Sequence, residues 1–289
     1  MAKILMIHDK YNWDSYSIVR SAVEILKERG LYIPLTEGCW DKLSAGDYVW
    51  IYSSRYELLD YEYQELKNRG LKIVTFGLSD PNMFDERRMV LCDVYCTNDL
   101  RTAQEYNVYH FPVGVDLKRF RPMDMEKDSL KAQIEVLFVG TLSHPYIPCR
   151  KPYLLALRKD SIIKFEGYGE GFNFTLEGED LVEAYNRAQL NLDICTKYSS
   201  LGSRIFQAAA CGVPTLTLKR EDVLQCFEDG KEILTYEGGY KEMKLAILRA
   251  GRENLKGIGE AARQRCLKDH GMRKRIDDLI TYLGESNEK

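Results

Sequence analysis

Residues 2–8 read A-K-I-L-M-I-H, an apolar run with almost no alternation. A strand with one wet face alternates apolar and polar side chains, so an unbroken run marks a strand covered on both faces. Similar runs return at Leu31–Leu35, Tyr48–Tyr52, Lys72–Phe76 and Val94–Thr97. Helix-period segments separate them, including Ser17–Arg29 closed by Gly30 and Asp60–Arg69 closed by Gly70. Strand, helix, strand in this rhythm requires right-handed crossovers and an α/β fold with a parallel sheet.

The rhythm runs through the chain twice. A second set starts at Ile134 with I-E-V-L-F-V-G, continues through I-I-K-F-E-G-Y-G-E-G at 162–171, and reaches a helix at Asp180–Ala188 and a strand at Leu190–Cys195. From Tyr240 the pattern is nearly all helical. At 289 residues and 45% hydrophobic, the chain is long for one core and comfortable for two. Between the two sets, prolines bracket a glycine turn and a basic stretch in H-F-P-V-G-V-D-L-K-R-F-R-P, 110–122, and 123–133 is polar and charged. Composition makes this a linker.

The net charge of −3 gives no global attraction to nucleic acid or to an anionic membrane. The eight cysteines form no C-x-x-C pair, and several lie in apolar runs, which is the pattern of reduced, buried thiols. No apolar stretch approaches the ~20 residues of a membrane span, and the first residues enter a strand at once. The expectation is a soluble cytoplasmic protein without a membrane span.

In open parallel sheets ligands sit beyond the carboxyl ends of the strands. Those ends carry His8 and Asp9, Ser53 to Arg55, Ser79 and Asp80, and Asn98 and Asp99. No G-x-G-x-x-G follows the first strand, so a dinucleotide site is not expected there. Tyr11, Asn12, Trp13 and Tyr16 offer instead an aromatic platform for a sugar ring or a base, or a lid over the domain edge. In the second set, Gly140 and Thr141 form a small-residue turn, and Arg150 and Lys151 lead into a helix from Pro152 to Arg158. Glycine admits a phosphate close to the backbone and cations neutralise it. The stretch 199–218, S-S-L-G-S-R-I-F-Q-A-A-A-C-G-V-P-T-L-T-L, reads as a small-residue helix stopped by Gly212 and followed by a strand at Val213–Leu218. Ser199, Ser200 and Ser203 are read at the helix start, where free N–H groups favour an anion, and Arg204 and Gln207 share a face.

The run R-I-F-Q-A-A-A-C-G-V-P-T-L-T resembles the sugar-nucleotide motif of group 1 glycosyltransferases of the GT-B fold. It is most similar to the branch of CgeB-like spore-maturation proteins, with the pattern R-x-F-E-x-x-x-C-G-x-x-x-L-T. Gly114, Val115, Asp116, Phe120 and Pro122 match the G-V-D-x-x-x-F-x-P segment that closes the N-terminal domain in that group. The resemblance covers 110–236 well and the first hundred residues by rhythm alone. It implies two Rossmann-like domains with parallel sheets facing a cleft and a helical C-terminus. The acceptor-binding domain would span 1–122 and the linker 123–133. The nucleotide-sugar domain would span 134–270, and 271–289 would pack back toward the first.

The implied reaction moves a sugar from a nucleotide-diphosphate sugar, here a UDP-sugar, to an acceptor hydroxyl, without metal or other cofactor and with retention. The donor would be held by Gly140, Thr141, Arg150, Lys151, Tyr168, Ser199, Ser200, Ser203, Arg204 and Gln207. The phosphate charge falls to Arg150, Lys151 or Arg204, since the family's arginine after the glycine is Thr141. Two family glutamates are replaced by Ser199 and Gln207. His8, Asp9 and Asp80 are the candidates for the catalytic base, and Tyr11, Asn12 and Trp13 for acceptor binding. The acceptor is open: a glycan, a protein, a small molecule or a modified DNA base. Loss of the carboxylates also fits a non-catalytic nucleotide-sugar-binding protein. A third reading, a phage-type enzyme acting on DNA bases, would use Tyr11, Trp13 and Tyr16 for stacking and Arg55, Arg119 and Arg121 for the backbone.

Overall fold

Strand β1 (Ile4–His8) lies inside a parallel sheet, paired on one side with β2 (Tyr32–Ile33) and on the other with β3 (Tyr48–Tyr52). The computed structural model describes residues 2–8, 18–36, 38–52, 58–77, 84, 86–124 and 134–285. The chain divides into two compact units, Met1–Gly114 with Met272–Lys289, and Val115–Gly271.

In the first unit the sheet continues through β4 (Lys72–Gly77), β5 (Val94–Thr97) and β6 (Tyr109–His110), in the order β2-β1-β3-β4-β5-β6. Successive side chains point to opposite faces, and both faces are dry, which is why β1 has no polar alternation. Ile4, Met6, Trp50, Val74 and Phe76 pack under α1 (Ile18–Glu28). Leu5, Ile7, Val49, Ile51 and Ile73 pack on the opposite side with Tyr63 and Leu66 of α2 (Asp60–Asn68). The short helices α3 (Glu86–Leu91) and α4 (Leu100–Tyr106) flank β5. β2 has two residues rather than the five of its apolar run, since Pro34 brings no N–H to extend the ladder.

The last helix, α11 (Met272–Glu285), belongs to this first unit. Met272, Ile276, Leu279 and Leu283 form one buried stripe against the α1 side of the sheet. Two of its basic residues are paired outside the core, Arg273 with Glu28 and Lys274 with Asp278.

The second unit has its own parallel sheet, β11-β10-β9-β7-β8, built from β7 (Ile134–Val139), β8 (Ile163–Tyr168), β9 (Leu190–Leu192), β10 (Thr215–Leu218) and β11 (Leu234–Tyr236). Val136, Phe138, Leu190, Leu192 and Leu216 pack with α5 (Arg150–Arg158) and α9 (Tyr240–Ala250). The remaining helices are α6 (Gly178–Arg187), α7 (Ser203–Ala210), α8 (Glu221–Cys226) and α10 (Leu255–Arg265), with a π-helical turn at Cys266–His270. This unit takes in the chain from Val115 to Gly271, so it begins before residue 122, where the sequence places the end of the first domain. Two polar groups explain it: Asn186 Oδ1 accepts from Met123 N at 2.7 Å, and Asn186 Nδ2 donates to the Arg121 carbonyl at 3.0 Å.

Candidate functional site

The second sheet's carboxyl edge is built around a glycine contact. Gly140 follows β7 with φ +153° and donates its N–H to the Tyr168 carbonyl at 2.8 Å. Gly169 follows β8 with φ +124°, and a Cβ there would stand 2.4 Å from the Gly140 carbonyl oxygen. Only glycine allows the two turns to touch. The Leu142 N–H then donates to the Glu170 carbonyl at 2.8 Å, locking both turns together.

Arg204 lies across this turn. A Cβ at Gly140 would meet Arg204 Cζ at 3.2 Å and Nε at 3.4 Å. Arg204 is the second residue of α7, whose N-cap is Gly202 with no side-chain hydrogen bond to the first turn. The N-cap residue therefore offers the first turn no side-chain acceptor, and the positive end of the helix dipole stands beside the guanidinium. Glycine backbone, arginine and helix amino end together offer a place for a doubly charged anion.

The serines differ from the sequence reading. α7 starts at Ser203, so Ser199 and Ser200 precede it, and the cap is glycine rather than serine. Ser199 is buried and turned inward. Its Oγ accepts from Thr196 N at 3.1 Å and meets Thr196 Oγ1 at 3.1 Å, which closes a turn over residues 196–199 inside the connection from Ile194 to Leu201, the arch that leads into α7. Gln207 is also engaged, because its Oε1 accepts from the buried Tyr185 hydroxyl at 3.2 Å. Burial pushes the Tyr185 phenol up, so it stays a donor.

Arg150 and Lys151 open α5, two residues earlier than a helix begun at Pro152. Lys151 is exposed. Arg150 is buried instead, its guanidinium spent on the Ile194 carbonyl and on Thr141 Oγ1. Burial lowers the Arg150 pKa, which Asp193 opposes. Tyr168 is half-buried and its hydroxyl donates to Glu166 Oε2 at 3.2 Å. Gly140, Thr141, Arg150 and Arg204 thus come together, while Ser199 and Gln207 serve internal bonds.

Sequence reasoning missed Asp193 and Arg220. Thr217 Oγ1 donates to Asp193 Oδ2 at 2.9 Å, and Asn191 Nδ2 to Thr215 Oγ1 at 3.0 Å, a polar ladder on one side of β9 and β10. The signal was present as polar residues at alternate places in L-N-L-D-I-C. Arg220, 8% exposed, donates to the Thr196 and Ser199 carbonyls at 3.2 and 2.6 Å. Burial first, then Asp193, pushes the Cys195 thiol up to about 12, which disfavours the thiolate. Among the described residues no cluster of three or more His, Cys, Asp or Glu could hold a metal ion.

On the first unit, His8 is the last residue of β1 and so stands at the carboxyl edge, though its side chain lies outside the described residues. Asp9, Tyr11, Asn12, Trp13, Tyr16, Arg55 and Asp80 also lie outside them, as do Ser53, Ser54 and Ser79. Asp99 is the N-cap of α4, its Oδ2 accepting from Thr102 N and Oγ1 at 3.0 and 2.7 Å. Arg119 and Arg121, considered for a nucleic-acid backbone, are ion-paired with Asp116 and Glu179. No helix among the described residues is long and apolar enough to cross a membrane.

Residues 150–281 match a protein-family model described as glycosyl transferase-like. Comparison with curated proteins finds no match. Among solved structures the chain is similar to a glycosyltransferase from Rickettsia africae ESF-5, at 13% identity and TM-score 0.65 over 98% of each chain. It is similar to sucrose-phosphate synthase from Thermosynechococcus elongatus, at 12% identity and TM-score 0.67, covering 98% of this chain and 100% of that one. HepE from Anabaena, in complex with UDP and glucose, matches at 12% identity and TM-score 0.67, covering 99% and 100%. With two parallel α/β sheets and a helical C-terminus, the chain has the GT-B glycosyltransferase fold.

Proposed function

We propose that this chain is a glycosyltransferase that moves a hexose from a UDP-sugar to an acceptor hydroxyl. The observation that carries the reading is Arg204 laid over the Gly140 turn at the amino end of α7. The match of residues 150–281 to a glycosyl transferase-like model supports it, as does HepE, solved with UDP and glucose. In this reading the diphosphate lies between the turn and α7. The leaving diphosphate gains negative charge as the glycosidic bond breaks. Arg204 and the α7 N–H groups stabilise that charge, so the step needs no metal. His8, Asp9 and Asp80 remain the proposed bases for the acceptor hydroxyl, with Tyr11, Asn12 and Trp13 beside the acceptor. Retention of configuration, a CgeB-like subtype and a cytoplasmic location are part of the same proposal.

A second reading is favoured by one observation. Ser199 and Gln207, which stand where the resemblance places glutamates, are both used in internal hydrogen bonds. A nucleotide-sugar-binding protein without transfer activity would need no carboxylate there. Calorimetry with UDP-, GDP-, ADP- and dTDP-sugars on the wild type and Arg204→Ala tests the donor site. Slow hydrolysis of the bound donor identifies an enzyme; tight binding with no turnover supports the second reading. Absence of binding by all four would refute both.

A further inference from the structure

Arg150 has the residue type of a phosphate ligand, yet its side chain is placed for another task. It is 7% exposed. Nε and Nη2 donate to the Ile194 carbonyl at 3.2 and 2.9 Å, and Nη1 donates to Thr141 Oγ1 at 3.2 Å. The Phe138 ring closes one side, 5.7 Å from Cζ. Its two acceptors lie on separate loops. Thr141 belongs to the turn after β7, and Ile194 begins the arch that leads into α7. A guanidinium reaches both at once because its donors diverge in a rigid planar fork, which an ammonium lacks.

Resting on the donor-site reading above, we propose that Arg150 is a positioning residue, a brace that sets the spacing between the Gly140–Thr141 turn and the Ile194–Leu201 arch. Arg150 does not itself touch phosphate. It holds the arch at its start, and Arg220 holds it further along through the Thr196 and Ser199 carbonyls. α7 therefore presents Arg204 and its amino end over Gly140 before any ligand arrives, and binding loses little to rearrangement. Asp193 favours the Arg150 charge, while burial and the neighbouring Arg204 oppose it.

The test combines UDP calorimetry with hydrogen exchange of the nucleotide-free proteins, on wild type, Arg150→Lys, Arg150→Met, Thr141→Val and the double variant Arg150→Lys/Thr141→Val. A brace predicts that Arg150→Lys and Arg150→Met weaken UDP alike, by about tenfold or more, because the fork is lost in both. Thr141→Val also weakens UDP, and adds little on top of Arg150→Lys, since both cut the same strut. In the free protein, Arg150→Lys speeds exchange in segments 140–148 and 194–206. Full additivity would overturn the proposal. So would Arg150→Lys binding within twofold of wild type while Arg150→Met loses tenfold, because charge alone would then suffice. Unchanged exchange in both segments would also sink it. If Arg150→Met gives no cooperative melt, the lysine and valine variants carry the comparison. A wild type that binds no nucleotide would remove the donor reading, while the exchange data would still decide the brace.

Discussion

The Arg204 guanidinium lies across the backbone of Gly140, so close that a Cβ at Gly140 would stand 3.2 Å from Arg204 Cζ. One residue comes from the second residue of a helix and the other from the position just after a strand more than sixty positions earlier. Their contact places a cation where a glycine leaves the backbone open, and most of the functional reading follows from it.

Arg204→Ala removes that cation without opening a core. Charge-assisted hydrogen bonds contribute about 1.5–3 kcal/mol each, so UDP-sugar affinity should fall by about tenfold or more. The melting temperature of the free protein should stay close to wild type. A variant that binds as tightly as wild type would take Arg204 out of the site.

Gly169→Ala tests the contact between the two turns. The added methyl would meet the Gly140 carbonyl oxygen at 2.4 Å, at a backbone φ of +124° that alanine avoids. Overpacking and strain together should cost about 2–4 kcal/mol. Urea unfolding of the variant gives the value directly, and a loss below half a unit would mean that the turns separate easily.

Asp160 should govern part of the acid limb of stability. Lys244, which hydrogen-bonds to it, and the Ile162 and Ile163 N–H groups hold its carboxyl below the ordinary 3.8. A depressed folded pKa contributes stability above the unfolded value, and that contribution is lost as pH falls through the folded one. Stability should therefore decline below about pH 4. Asp160→Asn should start less stable near neutrality and lose less on acidification, measured by urea midpoints from pH 7 to pH 3.

Thiol labelling reports on the cores. Of the eight cysteines, Cys149 alone is partly exposed and the other seven are buried. Burial pushes the thiols of Cys92, Cys195 and Cys211 up to about 11, 12 and 12. In native protein at pH 8, a thiol reagent should modify Cys149 first and the remainder at the rate of unfolding. Rapid modification of several thiols would show a looser interior than the one described.

Much of the architecture is legible without coordinates, for a reason visible in β1. A strand dry on both faces must be apolar at every position, and that pattern survives in any linear reading. Pro34, Gly30, Gly70 and Gly212 likewise declare their interruptions locally. The glycine after β7 and the arginine of the R-I-F-Q run were legible as candidates by chemistry and resemblance. The arch was not. Whether Ser199 caps a helix or bonds Thr196 depends on where the helix starts, and glycine, at Gly202, is also an accepted cap at a cost of a few tenths of a kcal/mol.

Sequence alone determined the alternation of strands and helices, the parallel sheets and the stock of cations near the second sheet, because each is written in local pattern and residue type. Tertiary structure decided which cation faces outward. Arg150 and Arg204 have the same side chain, and neither neighbouring sequence states its partner. Arg150 found a carbonyl and a hydroxyl inside the protein, while Arg204 was left over a glycine. That difference arises from packing between distant segments, where a buried guanidinium must satisfy its donors and a glycine can go without a side chain.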